Sequence, residues 1–368
     1  MRKILFLITI LLLTGCYNYR ELNNFAIIKG VAIDVDNNKY VVNYLVSKTN
    51  KNSKANETIM LEGKGRTISD AIAEINLSSN KELYIGHMFV LVASEDVAKI
   101  GINKVTDFFF RSPNSKKTFQ ILISKDQNAK NILETLSSLD NFQTNSIIEN
   151  LANENSFASF AINTTLLSFL KNTKDPGIEP ITSGITTIDD NGKKNIKITP
   201  LALFRNDKFI KWETEEISKG ITILINQSSY SKINTSCQNG NVIFLINNLK
   251  VNKSLKINKK INFKIKITGN SEISEMNCNY DLKKVNDLNK LEKIMISEMK
   301  EVLNKTINEI KESKIDSIGL GYYIYQTDYK NWLKVKNNYL DNLNVEFEIV
   351  PNLLVNENAN EGTINKYE

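Results

Sequence analysis

The clearest chemistry in this sequence belongs to Cys16. It closes the run Leu13-Thr14-Gly15-Cys16, behind a short positive start at Arg2 and Lys3 and an apolar stretch from Ile4 to Leu13 broken only by Thr9. A basic end that stays cytoplasmic, a short apolar stretch offered to the translocation channel and small residues before the cut are the marks of an export signal. A small-residue pair directly before cysteine is what a lipoprotein peptidase reads. The chemistry expected at Cys16 is therefore attachment of a diacylglycerol to its sulfur and removal of residues 1–15. The apolar stretch is too short to persist as a membrane span, which takes about 20 residues, and nothing after residue 16 approaches that length. A lipid is then the only anchor expected, and two acyl chains hold where one is marginal.

The other reactive side chains are sparse. Cys237 and Cys278 are the remaining cysteines. In an exported protein they could form one disulfide, or stay as two half-buried thiols; the sequence leaves both open. His87 is the single histidine. Zinc-type sites want several His, Cys or carboxylate ligands at defined spacing, and no such cluster is spelled out. No nucleophile-elbow pattern accompanies His87, so a buried, hydrogen-bonded histidine is the expectation there. Gly319 and Gly321 form a Gly-x-Gly without a third glycine or a P-loop lysine, which reads as a tight corner between two helices. Asp and Glu are scattered. The expectation is a binding or assembly protein, not an enzyme, with no catalytic, cofactor-binding or metal residues and no cofactor.

Charge points the same way. The formal net charge is +6 over 368 residues, and losing Arg2 and Lys3 with the leader reduces it to +4. The run Lys193-Lys194-Asn195-Ile196-Lys197 reads as a solvated turn and strand edge. Phosphate neutralisation needs clustered Lys and Arg, and with no dense basic patch along the chain a nucleic-acid partner is not expected.

The elements that must carry these residues follow from periodicity. Phe25 to Val35 is apolar with little alternation, as in a strand covered on both faces. Tyr40 to Val46 follows it across the turn Asp36-Asn37-Asn38. Thr58 to Leu61 is a third strand. Thr67 then opens a helix with Asp70 at the capping-box position and Ile68, Ala71, Ile72 and Ile75 on one face. Met88 to Ala93 and Thr118 to Ser124 are further strands, with helical stretches around 95–99, 102–110 and within 127–171. In the last third, Ile261, Phe263, Ile265 and Ile267 alternate with polar residues, as in a half-buried antiparallel strand. Leu288, Leu291, Met295, Met299, Val302, Thr306 and Ile310 mark one face of a long helix. A second helix is expected over about 329–340, and Leu343, Val345, Phe347 and Ile349 alternate in a closing strand. The fold class expected is α+β or α/β, multi-domain, with mixed sheets, packed helices, and a C-terminal lobe built from an antiparallel sheet and a long late helix. The divisions expected are a leader over 1–15, an N-terminal α/β lobe over 16–175, connecting strands or a middle domain over 176–212, a C-terminal lobe over 213–355 and a loose tail over 356–368.

Read in order, several short stretches resemble the Ger(x)C family, the lipoprotein C subunits of spore nutrient germinant receptors. These are Cys16-Tyr17-Asn18-Tyr19-Arg20-Glu21-Leu22-Asn23, Gly30-Val31-Ala32-Ile33-Asp34, Glu62-Gly63-Lys64-Gly65-Arg66-Thr67, Gly86-His87 with Glu95, Ala98 and Gly101, and Asp316-Ser317-Ile318-Gly319-Leu320-Gly321 before a helix with Trp332. Tyr17 and Tyr339 stand where the family often has Trp. The resemblance implies three α/β-type domains, no enzymatic activity and no agreed ligand-binding residues. It also implies a location on the outer surface of the spore inner membrane, with polytopic A-type and B-type receptor subunits as partners. The competing expectation is a substrate-binding lipoprotein of an ABC importer, which would show two similar doubly wound lobes.

Overall fold

A computed structural model describes residues 25–47, 58–138, 159–228 and 230–354. Cys16, the leader expected over 1–15 and the tail expected over 356–368 lie outside these residues.

The first sheet begins with β1 (Phe25–Asp36) and β2 (Lys39–Ser47). Asn37 and Asn38 join them at φ 49° and 62°, the left-handed pair that a two-residue hairpin turn requires and that asparagine tolerates. β3 (Thr58–Gly65) pairs antiparallel with β2. Helix α1 (Ile68–Ser78) follows, closed by reciprocal 3.1 Å bonds between Thr67 and Asp70. Its buried face is Ile68, Ala71, Ile72 and Ile75, as its spacing predicts. A Cβ at Gly63 or Gly65 would sit 2.2 or 2.4 Å from the Ala71 backbone. The Glu62–Thr67 stretch thus needs its two glycines because a helix lies directly on the strand.

Next come β4 (Glu82–Tyr84), β5 (Val90–Ser94), α2 (Glu95–Ile100), α3 (Ile102–Arg111), β6 (Gln120–Ser124), α4 (Ala129–Ser138) and α5 (Leu166–Lys174). β7 (Ile181–Asp190), β8 (Lys193–Arg205) and β9 (Lys208–Trp212) complete a sheet of order β3-β2-β1-β5-β6-β7-β8-β9, with β4 also against β1. The centre, β1-β5-β6-β7, is parallel. Every residue of β5 and β6 is buried, because α1, α2, α3 and α5 cover one face and α4 covers the other. That double cover explains the unbroken apolar runs. The strands expected as a connection over 176–212 are an antiparallel meander joined to β6 by a short ladder, Ile123 to Gly184 and Ser124 to Ile185.

The second sheet is β10 (Tyr230–Cys237), β11 (Gly240–Ile257), β12 (Ile261–Met276) and β13 (Leu343–Leu354), in that order. β10, β11 and β12 form an antiparallel meander, and β13 returns parallel to β12. The return runs through α7 (Val285–Ser313), α8 (Leu320–Thr327) and α9 (Tyr329–Val335). α6 (Glu215–Leu224) precedes the sheet, capped by Thr214. One sheet face packs on α6 and α7, and the other carries polar ladders such as Lys264 and Lys266 on Glu348 at 2.6 and 2.9 Å. The helix expected over about 329–340 is α9, which ends at Val335, and α8 before it was not foreseen; Asp328 ends α8 and caps α9. Cys237 and Cys278 are joined as a disulfide, their Cα atoms 6.0 Å apart, stapling the end of β10 to the segment after β12.

The two sheets share one core. Ile181, Leu201 and Leu203 of the first lie in the same buried cluster as Phe244, Phe263 and Leu303 of the second lobe. The result is α+β with mixed sheets, and the second sheet is not a copy of the first.

Candidate functional site

A buried polar grouping lies where α7 ends. Lys314 takes the left-handed conformation there, φ 56°, and turns the chain into Ile315-Asp316-Ser317. Asp316 is 2% exposed. Its Oδ1 accepts from Leu320 N at 3.1 Å, and its Oδ2 accepts from Gly321 N at 2.7 Å and Tyr339 Oη at 2.9 Å. These bonds cap the first turn of α8, which offers free N–H groups and the positive end of its dipole.

Lys253 reaches in from β11. Its Nζ donates to Ile318 O at 3.0 Å, while its own carbonyl accepts from Tyr323 Oη at 2.7 Å. Burial pushes the Asp316 carboxyl up from its ordinary range, against its three donors and the Lys253 charge. Burial also pushes the Lys253 ammonium down. The Tyr339 phenol is raised by burial and by the facing Asp316 charge.

This corner is also where the first lobe docks. Asp316 O accepts from Glu179 N at 2.9 Å, and Gly177 O accepts from Tyr322 N at 2.8 Å. Gly177 and Gly321 meet backbone to backbone: a Cβ at Gly321 would lie 2.8 Å from Gly177 Cα and 2.7 Å from the Tyr339 ring. Trp332 covers Gly177 and meets the Tyr339 ring at a tilt, centroids 5.6 Å apart. Around this point, Arg205 donates to Ser313 O at 2.9 Å, Lys211 pairs with Glu309 at 2.5 Å and Glu213 at 3.2 Å, and Lys305 pairs with Glu216 at 2.9 Å. Burial, the largest influence, raises the Glu213 carboxyl despite Lys211, and raises that of Glu179. Ser317 Oγ is buried there without a partner, while Asp316, Lys253 and Tyr339 are bonded to groups of the corner. The arrangement fixes the angle between the lobes.

The sequence named Asp316, Gly319 and Gly321 as a motif and the structure assembles them. The two glycines serve differently: Gly319 has φ 68° while Gly321 has no positive φ, so Gly321 is required by close approach alone. Lys253, Gly177, Glu179 and Tyr339 were not read as part of any site; Asp175-Pro176-Gly177 registered only as a chain break. His87 also differs from expectation. It is exposed, edge-on to Tyr84 at 5.7 Å, because Met88 takes the inward position of that turn at 1% exposure. Among the described residues, no three His, Cys, Asp or Glu side chains are grouped to hold a metal, and no helix is long and apolar enough to cross a membrane.

A parallel-centred first sheet and a meander closed by a parallel return strand, with a buried aspartate corner between them, make an α+β protein of two unlike sheets. Two family models match in tandem: the spore germination protein N-terminal domain over residues 18–187 and the spore germination B3/GerAC-like C-terminal domain over residues 199–358. The chain belongs to the Ger(x)C family of spore germination proteins. It is 23% identical to spore germination protein KC of Bacillus subtilis (strain 168), across 91% of this chain and 89% of that one. It is 25% identical to the putative spore germination protein YfkR of the same organism, across 85% and 84%. Spore germination protein GerQC of Bacillus cereus is 22% identical, across 87% and 88%. The crystal structure of the GerBC protein shares the fold, with a TM-score of 0.58 at 14% identity over 91% of this chain and all of that one.

Proposed function

We infer that this chain is the lipid-anchored C subunit of a spore nutrient germinant receptor. It is exported, cut before Cys16, held by diacylglycerol on the outer surface of the spore inner membrane, and assembled there with polytopic A-type and B-type subunits. Its role is to complete the receptor and pass on the nutrient signal; no catalytic step is assigned to it. The observation that carries this reading is the order of signals along one chain: Leu13-Thr14-Gly15-Cys16, then both germination family domains from residue 18 to 358. The division at 176–212 is proposed as a middle unit between the two lobes, supported by its short ladder to β6.

The test is genetic. Replacing the gene with a Cys16→Ala form is expected to leave uncleaved or mislocalised precursor and spores slow to respond to nutrient, with a normal response to germinants that bypass receptors. A normal nutrient response from spores carrying only the Cys16→Ala form would count against the anchored-subunit reading.

A further inference from the structure

The chain lacks a basic cluster in sequence, yet folding makes one. Residues 102–117 carry Lys104, Arg111, Lys116 and Lys117, and residues 166–175 carry Lys171 and Lys174. Against these six cations stand Asp107, Asp175 and, bonded to Asn103 N at the start of α3, Asp207, a local net charge of +3 where the whole chain has +6. The two segments are interlocked: Leu167 N donates to Lys117 O at 3.2 Å, and Lys117 Nζ donates to Phe109 O and Ser112 O at 2.7 and 2.6 Å. Between them stands Phe110, 42% exposed, with Lys117 and Lys174 each 5.9 Å from its ring centre. Leu167 on α5, the residue bonded to Lys117 O, is 54% exposed. Arg111 is paired with Asp107 at 2.7 Å. Lys116 and Lys174 are in no ion pair among the described residues.

The position of this patch is set by topology. β1, β5, β6 and β7 are parallel, so all four start at the same end of the sheet. Phe25 begins β1 there. The 112–119 segment leads into β6 there, and α5 starts there, with Leu166 N bonded to Phe119 O at 3.0 Å. Nine peptide steps separate Cys16 from Phe25, a reach of at most about 30 Å. Cations surrounding exposed apolar side chains are the chemistry of a surface that meets anionic lipid headgroups and seats Phe and Leu at the acyl boundary.

We propose that the face formed by the end of α3, the 112–118 segment and α5 lies directly against the anionic surface of the membrane to which the chain is tethered. The proposal rests on the anchored reading of Cys16. It makes the anchor one of two attachments, so that the first lobe is oriented as well as held.

The test uses the mature chain from residue 16 with Cys16→Ser, which has no lipid, so failure of the docking face is separate from failure of the anchor. Sedimentation with phosphatidylcholine vesicles, with and without phosphatidylglycerol, measures binding. Binding is expected only to the anionic vesicles, falling steeply with salt. Each surface cation contributes roughly fivefold to partitioning, so Lys116→Glu with Lys174→Glu should weaken binding by more than tenfold. Lys193→Glu with Lys194→Glu is the same change of charge at the β7–β8 turn, the opposite end of the sheet, and should alter binding less than twofold. If the reversal pair lowers the melting temperature, Lys116→Gln with Lys174→Gln reads the same face more gently. Absence of binding to anionic vesicles, or equal loss from both pairs, would overturn the proposal. So would loss of the chain from its membrane complex on mutation without any vesicle binding, which would make the occupant a protein. Vesicle binding with unmodified Cys16 in cells would instead sink the anchor reading alone.

Discussion

At the scale of single residues, the corner at Asp316 makes sharp demands. Three donors converge on one carboxylate, and an asparagine has a single acceptor oxygen. Asp316→Asn therefore sets an amide N–H against a backbone or phenol donor, and is expected to cost about 1–3 kcal/mol, the usual penalty for an unsatisfied buried group. Urea denaturation measures it; a variant as stable as wild type would mean that the corner holds water or rearranges freely. Gly321→Ala is expected to cost about 1–3 kcal/mol by overpacking, because the added methyl meets the Gly177 backbone, which cannot swing away as a side chain would. Limited proteolysis should then open the chain around 175–181 before either sheet is lost. Unchanged protection there would show that the lobes do not dock through this contact. The sequence made Gly319 and Gly321 legible as a corner, since glycine in pairs implies tight geometry. It could not show that Gly177, over 140 positions earlier, is the other half of the contact.

At the scale of elements, the most regular segments were readable and the irregular ones were not. The stripe on α7 and the alternation in β12 and β13 sit on one-sided surfaces, where burial imposes a clean period. β11 escaped notice because Asn247 and Asn248 interrupt its alternation: Asn248 takes φ 56°, and the pairing with β12 shifts register between Asn247 and Lys250. α6 escaped for a different reason. Ile217, Ile221, Thr222 and Ile223 are β-branched and favour strands, and only the fit against α7 and the second sheet makes the segment helical. The disulfide could not be settled from spacing, since Cys237 and Cys278 are brought together by the β10–β11–β12 meander. Closing a loop with a sequence separation of 41 contributes about 4 kcal/mol in the chain-entropy account. The elements at the junction also carry a pH dependence. Burial raises the carboxyl of Glu213, so its contribution to stability is complete below its unfolded value of about 4 and is lost as pH rises through the folded value. Glu213→Gln removes that loss. Its melting temperature relative to wild type should rise between pH 4.5 and pH 7.5. A relative fall over the same range would mean that the Lys211 pairing outweighs burial.

At the scale of the whole molecule, the mixed α+β architecture was legible from periodicity. The leader and the lipid on Cys16 are proposed from local sequence signals alone. The face that gathers Lys116, Lys117, Lys171 and Lys174 was not legible, because its cations come from segments some fifty residues apart and only the return of α5 beside β6 unites them. The expected importer lobes fail for an architectural reason: the second sheet is an antiparallel meander with one parallel return, and a doubly wound sheet would be parallel with helices on both faces. The proposed function makes the chain a lipid-anchored receptor subunit. Mass spectrometry of the chain isolated by affinity from crosslinked spore inner membranes tests it most directly. A lipid-anchored subunit should yield a mature N-terminus at Cys16 bearing diacylglycerol, together with peptides of polytopic A-type and B-type subunits. A chain recovered with its leader intact or with an unmodified Cys16, and with no membrane subunit crosslinked to it, would contradict it.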